Sequence, residues 1–85
     1  MEISDELRKI VDPNNECCCE HSLGNMCKVW AYEQAWGIES KYSTSDGGKW
    51  VCLINEYNVS FHPAIHRDTE PEAVFEACSY IMDNL

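Results

Sequence analysis

Positive charge is scarce in this sequence: six lysines and arginines stand against fifteen aspartates and glutamates, a formal charge of −9 over 85 residues. That sign repels phosphate backbones and anionic headgroups, so direct nucleic-acid binding and attachment to a lipid surface are not expected. Long apolar runs are missing too. None approaches the roughly 18–20 residues that span a bilayer, or the roughly 7–15 of an export-signal core, and the expected location is the cytoplasm. Four glycines and three prolines are enough for isolated turns only, and no repeat, low-complexity tract or linker is visible. A Gly-rich phosphate loop, a His-Glu-x-x-His helix and a locally supported pair of carboxylates are all lacking. A chain this short buries about 60–65% of its unfolded surface, which supports one two-layer core but no deep, walled cavity. Catalysis is therefore not expected.

What is present is cysteine and aromatic mass: six cysteines, and nine aromatics to fill a small core at little entropic cost. A reducing compartment leaves the cysteines as buried apolar groups, reactive thiols or metal ligands rather than a disulfide framework.

Residues 1–85 read as one domain, with an N-terminal helix and Cys-rich loop over 1–22 and an αβββα core over 23–85. Ser4 can cap a short helix carrying Leu7, Ile10 and Val11, closed by the turn residues Asp12-Pro13-Asn14-Asn15. Residues 23–36 predict a second helix that ends near Gly37, with Met26, Val29, Trp30 and Trp36 on a wide buried face. Segments 38–43 and 49–55 flank Thr44-Ser45-Asp46-Gly47-Gly48, whose Asp-Gly-Gly supplies the positive φ a hairpin needs. A third strand is expected over 59–65, at an edge because of Pro63. Thr69 with Glu72 forms a capping box, Pro71 sits in the first turn, and Val74, Phe75, Cys78, Ile81, Met82 and Leu85 make one helical stripe. The fold class is α+β: a small two-layer sandwich with a three-stranded antiparallel sheet and helices packed on one face.

Several of these segments carry a family pattern: Val29-Trp30-Ala31-Tyr32-Glu33, Gly37-Ile38-Glu39, Gly48-Lys49-Trp50-Val51-Cys52 and Asp68-Thr69-Glu70-Pro71-Glu72-Ala73-Val74. Over residues 26–84 the chain resembles the phage ABA sandwich family of small phage and prophage proteins. The resemblance implies a phage gene product acting inside a bacterium in a non-catalytic accessory role, and it supplies no site. Cys17-Cys18-Cys19 departs from the family's usual opening.

Cys17, Cys19, His21 and Cys27 are the candidate zinc ligands, although their spacing offers one knuckle and a single further arm rather than two knuckles. His62 and His66 could add imidazoles; Cys52 and Cys78 are expected in the core. A nucleophilic trio such as Cys19, His62 and Asp68 can be nominated, but nothing singles it out.

Acid distribution is the stronger signal. After Arg67 the chain holds Asp68, Glu70, Glu72, Glu76 and Asp83 and no lysine or arginine. Glu2, Asp5 and Glu6 begin a second acidic group. The expected contact surface is Glu70, Glu72, Glu76 and Asp83 with Glu2, Asp5 and Glu6, and Tyr57 as an aromatic anchor. The expected function is protein–protein binding by an acidic inhibitor, of anti-defence, anti-CRISPR or DNA-mimic type, of a basic host or bacterial-immunity protein. The alternative is a small zinc-stabilised module that works through its Cys-rich loop. An unpaired edge over 59–65 could also support a homodimer, with Pro63 arguing in part against it.

Overall fold

A computed structural model describes residues 3–16, 19–45, 47–56 and 64–85. The order is α1 (Asp5–Val11), α2 (Glu20–Glu33), β1 (Trp36–Ser43), β2 (Lys49–Glu56), β3 (Ile65–Arg67) and α3 (Glu70–Asp83). The sheet is three-stranded and antiparallel, as the sequence predicts, and its strand order is β1-β2-β3.

α1 starts where Ser4 accepts the Leu7 N–H at 3.2 Å, satisfying one donor of the first turn. It buries Leu7 completely and stops at Asp12, a buried acid that accepts the Glu16 N–H at 3.0 Å and faces Arg8. α2 begins three residues before the expected Leu23, with Cys19 as its N-cap. Its end also differs from the sequence reading. The C-cap is Gln34, and the left-handed position is taken by Ala35 at φ 66 rather than by glycine. Gly37 and Trp36, expected at the helix end, are instead the first two residues of β1.

In the β1–β2 hairpin, Ser43 pairs with Lys49 and Trp36 with Glu56. Gly47 and Gly48 sit at φ 73 and 86 in the connection, and the Tyr42 hydroxyl leans over Gly48, where a Cβ would collide with it. β3 joins the other side of β2, pairing Trp50 with Arg67 and Cys52 with Ile65. Of the strand expected over 59–65, only Ile65 belongs to β3; Val59, Phe61, His62 and Pro63 lie outside the described residues, as does Tyr57.

Alternation along the strands divides the sheet. Trp36, Ile38, Cys52, Ile54, Trp50 and Ile65 join the core with α2 and α3 on one face. Val51 is buried apart from that core, flanked in register by Lys41 and His66. α3 behaves as its sequence predicts. Thr69 accepts the Glu72 N–H and donates to the Glu72 carboxylate, and Val74, Phe75, Cys78 and Ile81 face the core. Burying each large side chain of that stripe contributes about 1.5–3 kcal/mol. The stripe ends sooner than expected: Met82 is half-buried and Leu85 is exposed.

Candidate functional site

Asp68 and Glu70, at the start of α3, meet cations from β2 and α2. Ser40 on β1 donates to Glu70 at 2.6 Å and accepts from the Lys28 ammonium at 2.9 Å, and Lys28 itself lies 3.6 Å from Glu70. This bridge joins α2, β1 and α3. The Ser40 hydroxyl, followed by the Lys28 charge, holds the Glu70 carboxyl below its ordinary range against an opposing desolvation effect. Arg67 on β3 pairs with Glu76, and Lys49 on β2 pairs with Asp68, whose carboxyl is lowered chiefly by that hydrogen bond. Of the α3 acids expected to form the contact surface, Glu70 and Glu76 are thus held within the molecule, Glu72 is engaged in the cap, and Asp83 is exposed at the last turn.

With Arg8 facing Asp12, four of the six lysines and arginines are tied to acids among the described residues. Other exposed carboxylates are Asp5 and Glu6 in the first turn of α1, Glu16 and Glu20 before and at the start of α2, Glu33 at its end, and Glu39 on β1, with Lys9 and Lys41 the exposed lysines among the described residues. Glu2 lies outside the described residues.

The expected zinc ligands separate. Cys19 and His21 are exposed at the start of α2, whereas Cys27 has no exposed surface and faces the core. Eight residues of helix place Cys27 about 12 Å along the axis from Cys19, beyond the reach of one ion with bonds of about 2.3 Å. Cys17 is outside the described residues, and among those described no group of three or more His, Cys, Asp or Glu is gathered as a metal would require. Cys27, Cys52 and Cys78 are free thiols inside the core, and Cys78 donates to the Cys27 carbonyl oxygen at 3.5 Å. Hydrogen bonding with Cys27 and then burial push the Cys78 thiol far up, and burial pushes Cys52 to about 11. Cys19 moves the other way: the backbone N–H groups of Ser22 and then His21 favour its thiolate. Of the nominated trio, His62 is outside the described residues and Asp68 is paired with Lys49.

A feature the sequence reading placed inside lies outside. Met26 and Val29, expected on the buried face of α2, are exposed, Val29 to 60%. With Ile10 of α1, 51% exposed, they border a groove of about 490 Å³ lined by Ile10, Val11, Asn25, Met26, Val29, Trp30 and Glu33. Exposed apolar groups clustered in this way, rimmed by polar ones, are the usual mark of an interaction site. The spacing of Met26, Val29 and Trp30 gives the face but not its direction: α2 buries Leu23, Cys27, Trp30 and Ala31, and its second apolar edge is left to solvent.

Comparison of the chain with protein families, with curated proteins and with solved structures finds no match.

Proposed function

We propose that this protein acts by binding, as an acidic module that docks on a basic protein surface and covers it, without making or breaking a covalent bond. The observation that carries the reading is the pairing of four cations with Asp12, Asp68, Glu70 and Glu76, while Asp5, Glu6, Glu16, Glu20, Glu33 and Glu39 are exposed. With Asp83 also exposed and Lys9 and Lys41 the exposed cations, the described surface carries an excess of uncompensated acid. Opposite charges steer encounter and make it fast and salt-sensitive, and the same field keeps DNA and RNA away. The resemblance to phage ABA sandwich proteins would place the partner among basic proteins of a bacterial host, its immunity proteins included.

The test is affinity for immobilised polylysine and for a DNA duplex through a salt series. Polylysine binds at low salt, loses affinity steeply as salt rises, and DNA does not bind. Asp5→Asn with Glu6→Gln weakens polylysine binding more than Glu70→Gln with Glu76→Gln does. Failure to bind polylysine at low salt, or binding indifferent to salt, overturns the proposal.

A further inference from the structure

We infer that the groove between α1 and α2 receives a basic amphipathic helix of the partner, its apolar side chains on Ile10, Met26 and Val29 and its cations on the acidic rim. The inference rests on the proposed acidic binding role and deepens it, because it assigns that role an anchor.

Apolar surface and charge argue together. The floor is Val11 and Trp30, both in contact with the core, and the walls are the exposed side chains of Ile10, Met26 and Val29. A floor fixed by core packing is preorganised, which lowers the cost of binding. The volume is about 490 Å³, room enough for more than one apolar side chain. Glu33 lines the groove, and Glu6 stands one helical turn before Ile10 on the same side of α1. Among the described residues no lysine or arginine lines it. Lys9 and Arg8 border a separate hollow with Asp5, Asp12, Pro13 and Asn15, and Lys28 is turned to Ser40 and Glu70 on the far side of α2. An apolar trough with Glu33 on its lining, Glu6 one turn away on α1 and no cation among the lining residues matches a helix that carries apolar residues at i, i+3, i+4 and i+7 between lysines or arginines. A second copy of this chain is the poorer occupant, since each copy would bring another −9 of charge to the contact.

The experiment uses two synthetic peptides of one leucine–lysine composition, one with leucines at helical spacing and one scrambled. Each is titrated into the full chain at low and moderate salt. The patterned peptide binds about tenfold tighter or better than the scramble. Ile10→Ser with Val29→Ser removes that preference while circular dichroism shows an intact fold, and Val29→Lys alone acts in the same direction should the double variant unfold. Glu6→Gln with Glu33→Gln weakens the patterned peptide and flattens its salt dependence. Equal affinity for the two peptides, or a preference that survives in both groove variants, overturns the groove while the acidic-surface reading stands. Binding of neither peptide at low salt overturns both. A patterned preference indifferent to salt overturns the charge part.

Discussion

The end of α2 yields a prediction with an unusual sign. Ala35 holds φ 66, donates its N–H to the Tyr32 carbonyl at 3.0 Å and has an exposed side chain, so its methyl contributes no core packing. A left-handed residue with a Cβ costs about 1–2 kcal/mol, which glycine avoids. Glycine in turn loosens the unfolded chain, at about 0.4–1 kcal/mol. The difference predicts that Ala35→Gly stabilises the protein by about 0.5–1 kcal/mol, or roughly 2–8 °C in Tm for a domain of this size. Gly37 is the control. It lies in β1 opposite Asn55, where an added Cβ would meet its nearest atoms at 3.9 Å, an ordinary contact. Gly37→Ala is therefore neutral or mildly stabilising. Urea and thermal unfolding followed by circular dichroism measure both. Loss of stability in Ala35→Gly together with clear destabilisation in Gly37→Ala would mean that glycine 37, not alanine 35, carries the chain reversal, and the reasoning would be wrong.

Two further predictions concern Glu70 and Cys19. The lowered carboxyl of Glu70 contributes stability that is fully present above the ordinary glutamate pKa and is lost as pH falls through the depressed folded value. Glu70→Gln should cost about 1 kcal/mol near neutral pH, discounted for partial exposure; urea midpoints should show the gap from wild type closing on acidification through that window, and a constant gap contradicts the Lys28–Ser40–Glu70 bridge. Cys19 should alkylate well before Cys52 and Cys78 near neutral pH, since it is exposed and its thiolate is favoured while theirs are buried and disfavoured. Peptide mass spectrometry over a time course reads the order, and equal rates at the three sites refute it.

What the sequence discloses and what it hides divide along physical lines. α3 was legible because its capping box, proline and stripe are local signals that agree, and Asp-Gly-Gly marked the hairpin for the same reason. Trp36 was misplaced because the usual stop signal, glycine, is displaced by two residues from the position that turns the chain. Met26 and Val29 were misdirected because α2 has more apolar residues than its neighbours can cover, and periodicity cannot tell which edge is left over. The state of the acids was hidden most deeply. Lys28 and Glu70 lie 42 residues apart in the chain, and nothing local marks that the tertiary fold joins them through Ser40. A charge count registers both as surface, whereas the folded protein pairs them and leaves Asp83 and the acids of α1 and α2 exposed.

That division between paired and exposed acids can be read directly by titrating isotope-labelled protein with polylysine and following backbone amide and methyl resonances at low salt. The account predicts that signals from Asp5, Glu6, Ile10, Val29 and Glu33 shift first and furthest, with those of Glu70 and Glu76 little affected. Shifts concentrated along α3, or none at all, would contradict it.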